Sequence, residues 1–165
     1  MKTLIVYFSL EGNTDYAANR IAAGIGADLL RLQPKKAYRD KGLMKMVHGG
    51  RSAIAGDAPE LQDYDADLSV YDRVVIGFPV WAGRFAPPIR TFVQENAEEL
   101  KGKRLVAFAC QSGSGAENAL GKLEELIGLH LESIDIFIDP KKKQSEKTDA
   151  RIDAFIETLG LQNDY

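Results

Sequence analysis

The residues TLIVYFSLEGNT at positions 3–14 join an unbroken apolar run to a short polar loop. The apolar part, residues 4–8, has the composition of a strand that is buried on both faces of a sheet. Beyond the loop, helical spacing places on one face Ala17, Ala18, Ile21, Ala22 and Ile25. A buried strand followed by a polar loop and an amphipathic helix predicts an α/β fold with a parallel sheet.

The same alternation continues along most of the chain. Further strands are predicted at about 29–32, 74–78, 105–110 and 134–138, and helical spacing is found at 89–100, 120–127 and 152–159. Five strands alternating with helices predict one three-layer, doubly wound α/β domain over residues 1–165. Residues 33–73 form an irregular connection, in which Leu43, Met46 and Val47 could begin a helix that Gly49-Gly50 would loosen or end.

Composition argues against several classes of protein. The net charge of −3 gives no reason to expect a nucleic acid or an anionic membrane as partner. No apolar stretch approaches the roughly 20 residues needed to span a bilayer, and the run after Met1 is too short for a signal peptide. Cys110 is the only cysteine, so we expect no internal disulfide and a cytoplasmic location. His48 and His130 lie far apart in the sequence, and no metal site is expected.

Three loops follow the first, third and fourth predicted strands. In an open parallel sheet, ligands bind beyond the carboxyl ends of the strands, where the strand order reverses. We therefore predict that a ligand is held by three segments, Ser9-Leu10-Glu11-Gly12-Asn13-Thr14, Pro79-Val80-Trp81-Ala82-Gly83 and Gln111-Ser112-Gly113-Ser114-Gly115.

The first loop has the features of an anion site. Free N–H groups and the helix dipole favour an anion at a helix N-terminus, and Ser9, Asn13 and Thr14 add side-chain donors. Gly12 permits a tight turn. The loop contains no Lys or Arg, so neutral donors would hold a phosphate, and it matches neither the triphosphate pattern GxxxxGK[ST] nor the dinucleotide pattern GxGxxG. The alternative is that Asn13 or Thr14 merely caps the helix.

The other two loops suit a flat, polar-edged ring. Trp81, the only tryptophan, offers a π-face for stacking, and Phe85 is a weaker candidate that is more often a core residue. The alternative for Trp81 is a core position. The third loop offers small side chains and exposed backbone, and its alternative is an ordinary loop capped by Ser112 or Ser114.

These loops resemble those of the flavodoxin family. The pattern S-x-x-G-N-T at 9–14 is similar to its phosphate loop, G-x-P-V-W-A-G at 77–83 to its flavin-ring loop, and the Ser/Gly-rich segment at 111–115 to the loop at that place; D-L-x-x-Y-D at 67–72 also resembles the family. The resemblance covers nearly the whole chain. It implies a five-stranded parallel sheet in the order 2-1-3-4-5 and one FMN at these loops, with Trp81 stacked on the isoalloxazine. Flavodoxin is itself a standard example of this placement, so the placement follows from the resemblance.

The chain departs from the family pattern at the ligand loops. Glu11 stands where the family often has Thr or Ser, and a carboxylate beside a phosphate would repel it. We expect Glu11 to point to solvent while its backbone N–H serves the ligand, and Asp15 raises the same concern. The tyrosine that many flavodoxins carry in the third loop is absent, so one face of the flavin would be open.

The resemblance implies an electron-transfer flavoprotein, and no catalytic residue is predicted. The alternative is an FMN-dependent oxidoreductase that takes electrons from NAD(P)H to a quinone-type acceptor. A remote alternative is a flavin-free signalling module, but such a module needs acidic residues after the first strand and an aspartate closing the third, where this chain has Ser9 and Phe78-Pro79.

Charge is unevenly distributed in the connection between the second and third strands. Residues 31–51 are basic and residues 57–72 are acidic. The simple interpretation is two solvated loops. The functional one is a charged face over residues 31–72 that docks an unidentified redox partner protein.

Overall fold

The computed structural model describes residues 1–38 and 43–162, with side chains at all of these except 43–46. The strands in this part of the chain are β1 (Thr3–Tyr7), β2 (Asp28–Arg31), β3 (Arg73–Trp81), β4 (Arg84–Phe85), β5 (Arg104–Gln111) and β6 (Ser133–Ile138). The helices are α1 (Asn13–Ile25), α2 (Leu43–Ala55), α3 (Pro87–Glu95), α4 (Ala97–Leu100), α5 (Ala116–Ile127) and α6 (Glu146–Leu161). None of these helices combines the length and the apolar character needed to cross a membrane.

The sheet is parallel and its strands lie in the order β2-β1-β3-β5-β6. The short strand β4 pairs antiparallel with the end of β3, outside that order. Since β4 only shifts the numbering, the predicted doubly wound arrangement with strand order 2-1-3-4-5 is confirmed. The order reverses between β1 and β3, and the carboxyl ends of these two strands therefore flank the expected binding crevice.

Helices cover both faces of the sheet. On one face, Ile21 of α1 and Ile152 and Phe155 of α6 pack into a buried cluster. On the other face, a larger cluster joins Phe92 of α3 and Leu123 of α5 to alternate residues of the same strands. The central strands are buried on both sides, which explains why their sequences are continuously apolar.

Strand β3 continues three residues beyond its predicted end at Phe78, through Pro79 to Trp81. Proline has no N–H with which to form a hydrogen bond in a sheet. Along β3, the backbone N–H and C=O groups of every second residue point toward β1. The C=O of Gly77 accepts from the N–H of Phe8 at 3.1 Å, and β1 ends there. Pro79 faces the same side two residues later, beyond the end of β1, so its missing N–H removes no ladder hydrogen bond.

The predicted helical stretch at 89–100 is interrupted at Asn96, which has φ −120° and ψ 23°. Its side-chain Nδ2 donates to the C=O of Phe92 at 2.8 Å and to the hydroxyl of Tyr64 at 2.9 Å. Such side-chain bonds to the preceding turn compete with helix continuation. The segment is therefore two helices, α3 and α4, although the apolar spacing runs through both.

The connection between β2 and β3 contains the helix α2, which continues through Gly49-Gly50 to Ala55. Pro34 and Leu61 form an isolated antiparallel bridge that brings the two ends of the connection together. Of the predicted charged residues, Arg39, Asp40 and Lys41 lie outside the described residues, as does the side chain of Lys45. The expected start of a helix near Leu43 agrees with the observed start of α2.

Candidate functional site

A cavity of about 540 Å³ lies at the carboxyl edge of the sheet. We call it the carboxyl-edge cavity. Its walls are formed by Ser9, Leu10, Glu11, Asn13, Thr14, Gly50, Pro79, Val80, Trp81, Ala82, Cys110, Gln111, Ser112, Gly113, Ser114, Asp139 and Lys142. The three loops predicted from the sequence thus converge on one space. Four lining residues were not predicted, namely Gly50, Cys110, Asp139 and Lys142.

Three predicted glycines do not line the cavity but bring its walls together. A Cβ on Gly115 would lie 2.9 Å from the Cα of Gly83, so the second and third loops touch through their backbones. Both glycines have positive φ, +70° for Gly83 and +101° for Gly115, a conformation that other residues adopt at a cost. Gly12 also has a positive φ, and a Cβ on it would lie 3.0 Å from Nζ of Lys141. The absence of a side chain at Gly12 therefore lets Lys141 lie over the first loop.

The N-terminus of α1 lies at the end of the first loop, where the helix begins at Asn13. Gly12 is the N-cap residue with φ 97° and has no side chain with which to cap the helix, and the side-chain oxygen of Asn13 accepts instead from the loop after β6. The first-turn N–H groups have no acceptor within the helix. Ser9 Oγ accepts from the N–H of Gly12 at 3.1 Å and shapes the loop. The alternative that Asn13 or Thr14 caps the helix is therefore wrong, and this end is open to an anion.

Thr14 points a buried hydroxyl at the cavity. The residue is 1% exposed, and its Oγ1 has no hydrogen-bond partner among the described residues. The thiol of Cys110 lies beside it, but burial raises the pKa of that thiol to about 12, and a neutral thiol is a weak partner. A buried hydroxyl without a partner costs roughly 1–3 kcal/mol, so this position calls for a ligand oxygen.

The loop after β6, residues 139–143, joins the site although the sequence analysis did not predict it. Asn13 Oδ1 accepts from the N–H groups of Lys141 and Lys142, each at 3.0 Å, and Asn13 Nδ2 lies 3.4 Å from Asp139 Oδ1. The available signal was a run of three lysines directly after the last strand, at the same edge as the other loops. We call residues 9–14 together with Asp139 and Lys142 the phosphate end of the cavity.

Asp139 anchors that loop. It is 2% exposed, has φ 41°, and accepts from Ser112 Oγ at 2.7 Å and from Lys143 Nζ at 3.0 Å. Burial would raise the pKa of Asp139, but these hydrogen bonds and the charges of Lys143 and Lys142 outweigh it and hold the pKa below its usual value. Asp139 is therefore a buried carboxylate that stays ionised.

The two acidic residues of the first loop lie in different places. Glu11 is exposed and lines the cavity, and the orientation expected for its carboxylate stays a prediction. Asp15 does not line the cavity; it accepts from the hydroxyl of Tyr7 at 2.6 Å and pairs with Arg31 at 3.4 Å. Burial, together with the bond to Asp15, raises the pKa of Tyr7 to about 12. The charge of Asp15 is thus offset by Arg31.

Trp81 is both packed and open to the cavity. Its ring makes edge contacts with Phe8 and Tyr38, with centroids 5.6 and 5.0 Å apart, and it also lines the cavity. The two interpretations from the sequence are therefore not exclusive. Phe85 is 2% exposed and belongs to the core, as its residue type suggested. Trp81 is the aromatic side chain that remains available for stacking.

The side chain of Gln111, at the start of the third loop, caps the N-terminus of α5. Its Oε1 accepts from the N–H of Ala116 at 3.0 Å, while Ser112 donates to Asp139. The alternative that Ser112 or Ser114 caps α5 is wrong. Gly113 and Ser114 are exposed and leave this side of the cavity lined by small groups. Within the described residues, no cluster of three His, Cys, Asp or Glu side chains is placed to hold a metal.

The described part of the charged connection extends from the carboxyl edge of the sheet toward the amino edge. Arg51 follows Gly50, which lines the cavity, and is exposed. The acidic half surrounds a second hollow formed with Glu95, the last residue of α3. Since α3 runs away from the carboxyl edge, that hollow lies toward the amino edge. Part of the charge is internally paired, because Lys35 Nζ bonds Glu60 Oε1 at 3.1 Å.

Comparison with known proteins gives a consistent result. A family model described as Flavodoxin matches residues 2–157. The chain is similar to a flavoprotein from Lactobacillus acidophilus NCFM crystallised in complex with FMN, with 25% identity, a TM-score of 0.73, and coverage of 93% of this chain and 97% of that one. Two further structures share the fold. A WrbA-like flavodoxin from Agrobacterium tumefaciens has 19% identity, a TM-score of 0.64 and 98% coverage of both chains. The Megasphaera elsdenii flavodoxin has 16% identity, a TM-score of 0.56, and coverage of 94% of this chain and 98% of that one.

Proposed function

Since the chain belongs to the flavodoxin family, we propose that it binds one FMN in the carboxyl-edge cavity and acts as an electron-transfer protein. The observation that carries the proposal is the buried Thr14 hydroxyl, which has no partner among the described residues and lies at an uncapped helix N-terminus inside the cavity. An anion with several acceptor oxygens satisfies both features at once. The phosphate of FMN is such an anion.

The residues present fit FMN at both ends. The phosphate end offers the N–H groups of the first turn of α1 and the hydroxyl of Thr14. The ring would lie against Trp81, with the backbone of residues 81 and 82 along one edge and residues 111–114 of the third loop along the other. FMN is preferred over FAD, because the sequence shows no further nucleotide fingerprint to hold an adenosine.

The flavin, when bound, supplies reversible electron-transfer chemistry, and the protein's part is to hold and tune it. Trp81 provides an apolar face that excludes water. Asp139, which remains ionised, keeps a negative charge near the phosphate end, and Lys142 and Lys143 place positive charge beside it. The small residues of the third loop leave one edge of the cavity accessible to a partner.

The carrier proposal agrees with the pKa shifts of two buried ionisable groups of the cavity, Cys110 and Asp139. Burial raises the pKa of Cys110 to about 12, and the pKa of Asp139 is lowered in spite of its burial. Both shifts lead away from neutrality, so neither group is tuned as an acid–base catalyst near pH 7.

The second candidate is an FMN-dependent NAD(P)H:quinone-type oxidoreductase. It is favoured by the third loop, which is exposed and contributes no aromatic side chain to the cavity. Trp81 is the one aromatic residue among the described lining residues, so a flavin stacked on it would have its other face uncovered. A nicotinamide or a quinone would find space on the uncovered face of the flavin. The two candidates differ in whether NAD(P)H reduces the flavin directly.

The redox partner is proposed to dock on the basic half of the charged segment 31–72. Electron transfer requires a short path to the flavin, and this half contributes Gly50 to the cavity wall, with the exposed Arg51 next to it in α2. Residues 61–67 of the acidic half line a different hollow, with Glu95 at the end of α3. A partner with an acidic docking face would be steered to the correct edge.

The test of FMN binding is direct. The purified protein should be yellow, or become so on reconstitution, and the flavin released by heat should run as FMN on chromatography. Colourless protein that fails to quench the fluorescence of added FMN would refute the proposal.

A further inference from the structure

Three consecutive lysines after β6 occupy three different environments at the phosphate end. Lys142 lines the carboxyl-edge cavity. Lys143 is paired with Asp139 at 3.0 Å. Lys141 lies across Gly12, where a Cβ would be 3.0 Å from its Nζ and 3.2 Å from its Cδ. Of the three lysines, Lys142 is the one that lines the cavity.

The backbone of this loop is fixed to the first loop. Asn13 Oδ1 accepts from the N–H groups of both Lys141 and Lys142. Asp139 holds the start of the loop through Ser112 and through its own N–H, which donates to the C=O of Gln111 at 3.0 Å. The position of Lys142 is thus set by three of the segments that form the cavity. These hydrogen bonds hold the backbone of Lys142 at the cavity, from which its flexible side chain can reach an anion.

The charge balance of the phosphate end calls for a cation. A phosphate monoester carries about −1.5 to −2 charges at pH 7, and the helix N-terminus supplies only about half a positive charge. The one buried carboxylate of this end, Asp139, is itself paired with Lys143 and adds no positive charge for a phosphate. Arg31 and Lys143 are engaged by Asp15 and Asp139. Neither Lys141 nor Lys142 forms an ion pair with a described residue, and of these two only Lys142 lines the cavity.

We propose that Lys142 is the cation that neutralises the phosphate of the bound flavin, and that it sets the preference of the site for FMN over riboflavin. The inference rests on the function proposed above. It replaces the expectation that neutral donors alone hold the phosphate. Asn13 is the positioning residue, because its side chain fixes the backbone of Lys142 above the first loop.

The experiment is a titration of apoprotein with FMN and, separately, with riboflavin, followed by quenching of flavin fluorescence. Lys142→Gln should lower the affinity for FMN by about five- to twentyfold. This effect lies between those typical of losing an exposed ion pair and of losing a charge-assisted hydrogen bond. Riboflavin affinity should not change. FMN affinity should also depend less on ionic strength in the variant than in the original protein, because one screened ion pair is gone.

The control is Lys101→Gln, which removes the same charge at the amino edge, just before β5. It should leave both affinities unchanged, which separates a local contact from a net-charge effect. An unchanged ratio of FMN to riboflavin affinity in Lys142→Gln would overturn the assignment of Lys142 while leaving the proposed function intact. Failure of the original protein to bind either flavin would refute the proposed function, and the assignment of Lys142 with it.

Discussion

Gly49 lies against the indole ring of Trp81, such that a Cβ on this glycine would be 3.1 Å from Trp81 Cε3 and 3.2 Å from Cδ2. Carbon atoms at such distances repel, so the absence of a side chain lets α2 rest on the ring. The next residue, Gly50, has more room, since its Cβ would first meet the Cβ of Ala82 at 3.6 Å. Helix α2 thus positions the aromatic wall of the carboxyl-edge cavity.

This contact predicts different effects of Gly50→Ala and Gly49→Ala on stability and on flavin binding. Gly50→Ala should raise the unfolding free energy by about 0.5–1 kcal/mol, as is usual for Gly→Ala within a helix. Gly49→Ala should not give this stabilisation, because the new Cβ displaces the ring of Trp81, and it should lower the affinity for FMN and for riboflavin by a similar factor. Urea unfolding and flavin titration measure the two effects. Equal stabilisation by both substitutions would show that the ring yields without cost.

The hydroxyl of Thr14 predicts a conflict between stability and binding. Thr14→Val keeps the shape but removes a buried hydroxyl that has no partner among the described residues. The apoprotein should be as stable or more stable, by about 1 kcal/mol. FMN should bind about tenfold to hundredfold more weakly, and riboflavin affinity should not change, since the lost donor serves the phosphate. Equal loss for both flavins would place Thr14 away from the phosphate.

Trp81 provides an intrinsic probe because it is the only tryptophan in the chain. Its emission should fall sharply on addition of FMN if the flavin stacks on the ring. Trp81→Ala should weaken FMN and riboflavin by a similar factor, about tenfold, and Trp81→Phe should have a smaller effect because an aromatic face remains. Emission that is unaffected by bound FMN would assign Trp81 to the core alone.

Asp139 predicts a pH-dependent contribution to stability. Its pKa is held below the usual value in the folded protein, so it stabilises the fold above the unfolded pKa, and this contribution is lost as pH falls through the folded pKa. Asp139→Asn should therefore be less stable at pH 7, and the difference should shrink in acid, below about pH 4. Asparagine tolerates the positive φ of this position, so the comparison isolates the charge. A difference that is independent of pH would mean that geometry alone matters.

The choice between carrier and enzyme rests on the route of reduction. NADH or NADPH alone should reduce the bound flavin slowly, whereas a separate flavoprotein reductase should reduce it fast, at a rate that falls with added salt. Arg51→Gln should slow the partner reaction, and Asp65→Asn, in the acidic half toward the amino edge, should not. Rapid anaerobic bleaching by NAD(P)H alone, with repeated turnover of a quinone, would favour the oxidoreductase.

The sequence by itself determined the architecture and three of the four loops of the site. Buried parallel strands must be apolar along their whole length, and amphipathic helices must repeat every three to four residues, so both signals are local and can be recognised in residues 4–8 or 152–159. Because the carboxyl ends of parallel strands share one edge, the loops at 9–14, 79–83 and 111–115 could be assigned to one site before any contact was known.

Only the tertiary structure decided how the site is completed. Asn13 and Lys142 are far apart in the chain, and their hydrogen bond depends on how β1 and β6 are placed in the sheet, with β3 and β5 between them. The contact of Gly49 with Trp81 likewise depends on where α2 packs, which its own apolar pattern does not specify. Local propensity determines what each segment becomes. Which polar groups are satisfied, and which remain for a ligand, is determined by contacts between segments distant in sequence.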